Sequence, residues 1–423
     1  MKIYLLVLIL WPFAVSAVEP LTSAPDAALS HLSLVDAEQM WQRNNREVQL
    51  ANDQMKGAAA DKLAARQRPN PQLSLNSGAL NSASDAPPVN HALALADVTL
   101  RLDQTFERGD KRELRTRTTD LRFNAARQDL ADVRRQGRIA LSQAYYDVLL
   151  TQEKLRVAED NKRLFGQTVD ASKRRLSAGD IAASEFSRIR VDALRAENDV
   201  RQVQNDLRQM QVALAYQIGA ERAAESIHAA DPWPAVQPMT AHPDAIETRP
   251  DIHAAMARVE AAESARDLAR ALQTRDVTVG FQIERNGGNP PLHSVGFGIS
   301  IPLLTGYAFQ GEIARAEADL QTARDTLDQI KALAAGGIDR SRSNLESASE
   351  RVQRFDEQLL SEASRTLDSA EFAYRHGALS VMDLLDARRT NKAVQMDAAT
   401  ARADYAKALV AWRFANGEGE PSQ

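Results

Sequence analysis

The sequence contains no cysteine. This absence excludes a structural disulfide, a thiol nucleophile, a cysteine-based metal site and a lipid anchor on an N-terminal cysteine. Aromatic residues are also scarce, at 5% of the 423 residues, and many alanines carry the apolar fraction. Since few large side chains are available for a thick globular core, this composition favours long helices that pack in thin layers.

Neither sign of charge dominates, because 57 acidic residues stand against 52 basic ones. This balance does not indicate a nucleic-acid partner, and none is predicted. The sequence also lacks a phosphate-binding loop, a Gly-x-Ser-x-Gly motif and a zinc-binding His-Glu-x-x-His motif. The seven histidines are not spaced as a metal-binding pair on one helix. We therefore predict no catalytic site, no metal site and no cofactor, and expect the protein not to be an enzyme.

A long apolar run occurs only at the N-terminus. The stretch from Ile3 to Val15 follows the basic residue Lys2 and ends in the small residues Ser16 and Ala17. This pattern predicts a secretory signal peptide over residues 1–17 and an exported chain. The alternative is an uncleaved N-terminal anchor, which is disfavoured because about 13 apolar residues are too few to span a bilayer comfortably.

The first half of the chain is predicted as a unit over residues 18–219. It begins with a helix over residues 33–68, and two alternating segments then predict strands at about 72–76 and 97–106. A helical hairpin is predicted over residues 110–218. Its first helix would have some 65 residues and a length of about 100 Å. Coiled-coil packing is indicated by apolar residues at steps of seven, namely Leu141, Val148 and Leu155.

The second half repeats this order over residues 251–416. A proline-rich segment at 220–250 is predicted as a linker or small equatorial element, and residues 417–423 as a C-terminal tail. Strands are predicted at about 276–284 and 293–302, followed by a helical hairpin over 307–415 whose first helix runs to about His376. Steps of seven recur here at Leu345, Val352 and Leu359.

Glycines mark the repeat. Gly109 and Gly306, which precede the long helices, are 197 positions apart, and the hairpin glycines Gly179 and Gly377 are 198 apart. Matching strand pairs upstream of both turns argue against coincidence. The sequence therefore predicts an internal duplication of a strand pair followed by a long helical hairpin.

The last two predicted strands have one apolar face and one small or polar face. This alternation is typical of outer-membrane strands with lipid on one side and a lumen on the other. Four strands cannot span a bilayer alone, because their edges would leave backbone groups unpaired in hydrocarbon. At least two chains would have to pool their strands. A soluble β-rich cap packed on the helices remains the alternative, and in either case the predicted class is mainly α with a small β part.

The chain resembles the TolC-type outer-membrane efflux ducts over essentially its whole predicted mature length. The resemblance rests on the order and spacing of the duplicated strand pairs, two turns and two hairpin tips. The turns run from Gln104 to Arg112 and from Ile301 to Gly306, and the tips from Arg175 to Asp180 and from Tyr374 to Ala387. The first of these turns is most similar to the branch that serves cobalt-zinc-cadmium cation pumps.

This resemblance implies a homotrimer with a 12-stranded β-barrel in lipid of the bacterial outer membrane and an α-helical barrel in the periplasm. It implies a passive exit duct, coupled through a periplasmic adaptor (a membrane fusion protein) to an inner-membrane RND-type pump. The expected cargo is heavy-metal cations. The alternatives are a duct for drugs or other small organic molecules and, in another class, a periplasmic coiled-coil adaptor or scaffold.

The resemblance also implies a gate at the periplasmic end. Asp383 and Asp386 share a helical face and would form rings of carboxylates in a trimer, although a solvated helix face is the ordinary alternative. Glu185 occupies the corresponding place in the first tip, and the resemblance implies that it pairs with Tyr374 to hold the entrance closed. An exposed acid and an ordinary hairpin contact are the alternatives for this residue. Members of the family often have a basic residue at the position of Leu379. Because this sequence has leucine there, a salt-bridge latch at that position is not expected.

The hairpin tips are expected to dock the adaptor. The residues that the resemblance assigns to docking are Leu176, Ser177, Ala178 and Gly179 in the first tip, and His376, Gly377, Ala378, Leu379 and Ser380 in the second. The two glycines also fit ordinary helix caps, and both roles are compatible.

Overall fold

The fold is described from a computed structural model of the chain, which covers residues 29–78, 97–240, 245–287, 290 and 292–417. The predicted signal peptide at 1–17, the start of the predicted mature chain, most of the loop between the first two strands and all but the first residue of the predicted tail lie outside the described residues.

Two helices, not one, precede the first strand. The chain forms α1 at Leu34–Asn44 and α2 at Arg46–Ala65, so the prediction of one continuous helix over 33–68 is wrong. Asn45 ends the first helix and begins the second, and its side-chain oxygen accepts hydrogen bonds from the two N–H groups of Glu47 and Val48. Asparagine competes with the helical backbone in this way, so the break follows from its cap chemistry.

The first hairpin consists of α3 at Lys111–Ala178 and α4 at Ala183–Ile218. With 68 residues, α3 is about 100 Å long at 1.5 Å per residue. It ends at Gly179, whose φ of 83° lies in the left-handed region that glycine adopts without steric cost. A short 3-10 helix, Glu221–Ser226, follows the hairpin.

The second hairpin is preceded by α5 at Pro250–Ala271 and has an interrupted first arm. This arm consists of α6 at Gln310–Arg354, a π-helical turn at Phe355–Leu359 and α7 at Leu360–Arg375, and α8 at Val381–Ala415 returns. The heptad steps expected through this arm therefore fail at the last position. Leu345 and Val352 are buried, whereas Leu359 is 40% exposed because the π-turn rotates it off the stripe.

Four antiparallel strands form one sheet in chain order: β1 at Gln72–Gly78, β2 at Asp97–Phe106, β3 at Val277–Asn286 and β4 at Leu292–Ser300. The pairing of β2 with β3 joins the two halves of the chain, with Leu102 opposite Phe281. The molecule is thus mainly helical with a small sheet, as the sequence predicted.

A left-handed residue other than glycine directly precedes each of the two long arms. The residues that precede α3 and α6 are Asp110, with φ of 55°, and Phe309, with φ of 61°. Gly109 also has a positive φ, whereas Gly306 does not. The chain nevertheless bends at Gly306, as predicted, and Phe309 adopts the left-handed conformation three residues later, directly before α6.

The largest core lies midway along the helices, where α1 and α2 pack against α3 and α4. Its fully buried side chains include Trp41, Tyr145, Leu214 and Ile218. The Tyr145 hydroxyl lies 2.9 Å from a carboxylate oxygen of Asp231, so the segment after the 3-10 helix is fastened to this core. None of the helices in the described ranges has the length and apolar character that crossing a membrane requires.

Candidate functional site

The two hairpin tips are exposed turns of the helical part. The first turns at Gly179 and the second at Gly377, whose φ of 73° is also left-handed. The other predicted docking residues surround these glycines; Leu176 and Leu379 are partly buried, and the rest are exposed. Both tips therefore present backbone and small side chains to solvent.

An apolar cluster joins the two hairpins just behind their tips. Phe165 on α3 and Ile189 on α4 pack with Val381 and Leu385 on α8, and all four are buried. Tyr374 packs against the edge of this cluster. Apolar contacts thus hold the two tips of one protomer together. Because Val381 and Leu385 face these contacts, the opposite face of α8 remains exposed.

Arg388 extends this junction with polar contacts. Its guanidinium donates to the Thr168 hydroxyl at 2.6 Å and to the Leu164 carbonyl at 3.2 Å, both on α3, and forms an ion pair with Glu371 on α7 at 3.0 Å. The Arg388 side chain is only 10% exposed. Because a buried cation needs such partners, this residue couples the second hairpin to the first.

Two further basic residues on α8 reach α4. Arg389 forms an ion pair with the buried carboxylate of Asp192 at 2.6 Å. Lys392, which lies three positions after Arg389 on α8, forms an ion pair with Asp199. The Asp192 side chain is only 9% exposed, whereas that of Arg389 is 46% exposed. The ion pairs therefore continue the junction along the rim of the hairpin contact.

Sequence reasoning missed Arg388 and its partners. A signal was nevertheless available, because Arg388 follows Leu384 by four positions and Leu385 by three, which places it on the buried stripe of α8. A charged residue on such a stripe indicates a paired group. Its partners on α3 could not be identified from the sequence, because they lie some 220 positions earlier.

Both predicted gate carboxylates lie on the face of α8 opposite the apolar cluster. Asp383 and Asp386 are exposed, whereas Leu384 and Leu385 are buried. Ser380 caps this helix, since its hydroxyl oxygen accepts from the Asp383 N–H at 3.3 Å, and the same hydroxyl donates to the Asp383 carboxylate at 2.7 Å. Among the residues with described side chains, none pairs with the Asp386 carboxylate.

The other two predicted gate residues are not joined within this chain. The Tyr374 hydroxyl accepts a hydrogen bond from Arg175 at 3.2 Å, and the same guanidinium lies 5.9 Å from the tyrosine ring centre. Glu185 is partly buried in the first turn of α4 and makes no side-chain hydrogen bond with Tyr374 in the described part of the protomer. Tyr374 therefore links the two tips through Arg175.

The sheet lies at the opposite end of the long helices from the tips, and it has an exposed apolar face. One face is an exposed apolar band, defined here as Leu73, Leu75, Leu100, Leu102, Val279, Phe281, Ile283, Val295, Phe297 and Ile299. Register places Leu102, Phe281 and Phe297 side by side across three strands. Phe297 is 82% exposed and Ile299 is 73% exposed, so the most apolar residues face outwards. An exposed apolar band of this kind marks a surface that meets lipid or another protein.

No resident metal site is evident in the described ranges. These residues contain no group of three or more histidine, aspartate or glutamate side chains that could hold an ion. The exposed carboxylates of the tip are single groups in one chain, so any shared site there needs other copies.

Comparison with known proteins gives consistent relatives. The cobalt-zinc-cadmium resistance protein CzcC of Cupriavidus metallidurans is 23% identical over 300 residues, which cover 69% of this chain and 70% of CzcC. The outer membrane efflux protein BepC of Brucella suis is 23% identical over 353 residues, which cover 81% of this chain and 76% of BepC. The fold is similar to that of the CmeC outer membrane channel of Campylobacter jejuni, with a TM-score of 0.80 at 15% identity over 92% of this chain and 87% of CmeC.

A family model gives the assignment. The model described as "Outer membrane efflux protein" matches residues 38–220 and 242–418, which together make up most of the chain. This match confirms the predicted resemblance and the predicted localisation in the bacterial outer membrane. Since the relatives are channel and efflux proteins, a role other than that of an enzyme is supported. The chain therefore belongs to the outer membrane efflux protein family.

Proposed function

We propose that the chain is the exit duct of a tripartite efflux system, and that three copies assemble into a 12-stranded barrel above a periplasmic helical barrel. The observation that carries this proposal is the exposed apolar band on a sheet attached to helices about 100 Å long. A soluble cap would turn such a band towards its own helices. Here the band faces away from any described part of the chain, as lipid contact requires.

The open sheet supports the trimer. Within the described residues, the outer edges of β1 and β4 have no strand partner, and a lipid-embedded sheet must satisfy these edges by closure. Three copies supply twelve strands, an even number within the range of outer-membrane barrels. Family membership supports the same assembly, because its members are outer-membrane channels.

The hairpin tips are the proposed binding surface for the partner proteins of the duct. Their exposed backbone and small side chains suit docking of a periplasmic adaptor, which would connect the duct to an inner-membrane RND-type pump. The proposed docking residues are those predicted from the sequence, from Leu176 to Gly179 and from His376 to Ser380. The duct itself would be passive, with the driving force supplied by the pump.

Heavy-metal cations are the proposed cargo. Similarity to the cobalt-zinc-cadmium resistance protein supports this choice over drugs or other small organic molecules. A strain lacking the chain should become more sensitive to cobalt, zinc and cadmium salts while its tolerance of organic antibiotics stays the same. The opposite pattern would assign the duct to organic cargo.

The proposed gate uses Asp383, Asp386, Glu185 and Tyr374, with Arg388 holding the second hairpin against the first. In a trimer, the exposed faces of α8 would bring the carboxylates of the three copies towards one axis. Opening would require the tips to move apart, and the polar contacts of Arg388 are those that such a movement breaks.

Cell fractionation tests the duct, and conductance of the purified protein in planar bilayers tests both the duct and the gate. The wild type should fractionate with the outer membrane and form pores that divalent cations block. Asp383→Asn combined with Asp386→Asn should weaken this block about tenfold or more, because two rings of charge are removed. Asparagine at 383 keeps the backbone N–H that donates to the Ser380 cap and a side-chain oxygen that accepts from its hydroxyl, so the helix cap is preserved.

Asp397→Asn serves as the matched control, because Asp397 is an exposed carboxylate further along the same helix. It should leave the block unchanged. Unaltered block in the double variant would refute the carboxylate gate, and recovery of the protein as a soluble periplasmic species would refute the duct.

A further inference from the structure

The face of the sheet opposite the apolar band carries a buttressed ion pair. Arg101 and Asp103 are neighbours on this face of β2, and the guanidinium Nε lies 2.9 and 2.8 Å from the two carboxylate oxygens. Nη1 of Arg101 also lies 3.4 Å from the side-chain oxygen of Gln282, directly across on β3. The Arg101 side chain therefore leans from β2 towards β3.

Glycines on the next two strands provide room for this pair. Gly280 stands opposite Asp103, and Gly298 stands opposite Gly280. A Cβ atom on Gly280 would come within 2.3 Å of the Asp103 carboxylate and 2.8 Å of Nη2 of Arg101, which is too close for any real contact. A Cβ atom on Gly298 would lie 3.6 Å from the same Nη2, an ordinary contact. The pair thus lies flat on the backbone of β3.

This flat packing explains why the two charged side chains are only partly exposed. The Arg101 side chain is 34% exposed and that of Asp103 is 23% exposed, although both stand on an uncovered sheet face. Upright side chains would project into the space in front of the sheet and would leave their charges separate. Lying over Gly280, the two groups instead present a compensated pair.

We infer that Arg101 and Asp103 set the charge selectivity of the barrel lumen, with Asp103 neutralising a ring of three arginines that cationic cargo would otherwise meet. This inference rests on the proposed duct, in which the apolar band faces lipid and the opposite face therefore lines the lumen. Rings of like charge in a pore exclude ions of the same sign. Compensation within each pair keeps the exit open to cations.

Ion selectivity of pores in planar bilayers tests the inference. Asp103→Asn leaves three uncompensated guanidinium groups and should lower the permeability ratio of K⁺ to Cl⁻ about threefold or more. Arg101→Gln leaves three carboxylates and should raise the ratio by a similar factor. The double variant should return close to the wild-type ratio. Measurement at about 0.01 M salt keeps the Debye length near 30 Å, and the shifts should shrink at about 1 M.

Arg222→Gln is the control for a change of net charge, because Arg222 is an exposed residue of the 3-10 helix beyond the first hairpin. Its ratio should equal that of the wild type. Pores whose ratio stays unchanged in either single variant overturn the inference, so one variant decides if the other fails to assemble. Absence of pores from the wild type itself refutes the proposed duct instead.

A pair of glycine variants tests the packing. Gly280→Ala should lower the single-channel conductance, because the new methyl group lifts the pair into the lumen without changing any charge. Gly298→Ala has room for its methyl group and should conduct like the wild type. Equal conductance of these two variants would overturn the assignment of Gly280 as the seat of the pair.

Discussion

The apolar band of the sheet gives the most direct prediction, through the single substitution Phe297→Arg. Phe297 is the sixth of nine residues in β4, and its ring centre lies 5.2 Å from that of Phe281 on the adjacent strand. It is therefore central in the band and 82% exposed in one chain. If the band meets hydrocarbon, the new guanidinium must enter lipid.

The expected cost follows from position. An arginine on the lipid face near the bilayer midplane destabilises an outer-membrane barrel by about 2–4 kcal/mol. This corresponds to a roughly 30- to 700-fold loss in the folding equilibrium of each protomer. Three copies in a closed barrel would multiply the effect. We expect a large fall in the amount of assembled trimer and in the urea concentration needed to unfold it in lipid vesicles.

Ser294→Arg is the matched control on the same strand. Ser294 lies on the opposite face and pairs with Glu284, so an arginine there gains a carboxylate neighbour instead of lipid. This variant should assemble and unfold like the wild type. If the two arginine variants had the same unfolding midpoint in lipid vesicles, the band would not face lipid and the orientation of the sheet would be wrong.

Two further predictions concern the helical part. Burial alone would raise the pKa of Asp251, but the hydrogen bonds and charge of Arg249 outweigh it and hold that pKa below its usual value. The contribution of this carboxylate to stability is present above its unfolded pKa and lost as the pH falls through the folded one. The stability difference between wild type and Asp251→Asn should therefore shrink below about pH 4, measured by urea unfolding; a constant difference would contradict the pairing. Gly137→Ala should destabilise the fold by about 1–3 kcal/mol, because its Cβ would lie 2.4 Å from the Trp41 ring. In thermal unfolding, Gly166→Ala has open space at its Cβ and should be neutral or stabilising, so similar losses in both variants would contradict this reasoning.

Local patterns predicted much of the architecture. Alternation at Leu73 and Leu75 and along Val295, Phe297 and Ile299 indicated strands, because the side chains of a strand change faces at every residue. Gly179 and Gly377 marked the hairpin tips, because glycine adopts the left-handed cap without steric cost. Both are short-range properties of the chain.

The errors arose where the backbone conformation depends on contacts or distortions that the local pattern does not show. Asn45 sits in a helical pattern, and only its hydrogen bond to the Gln217 carbonyl of another helix shows why a break is tolerated there. Phe309, with its positive φ, could not be anticipated, because bulky residues adopt that conformation only when the surrounding fold requires it. The π-turn before Leu360 likewise leaves no mark in a heptad pattern.

The sequence by itself determined the class of the protein: long helices, two strand pairs, glycine tips and no cysteine chemistry. These properties depend on residue type and on spacings of a few positions. Only the tertiary structure decided which distant residues meet. It brought Arg388 to Thr168 and laid the Arg101–Asp103 pair over Gly280 on the second strand pair. Such contacts join residues far apart in the chain, and they depend on how helices and strands pack, which no local pattern encodes.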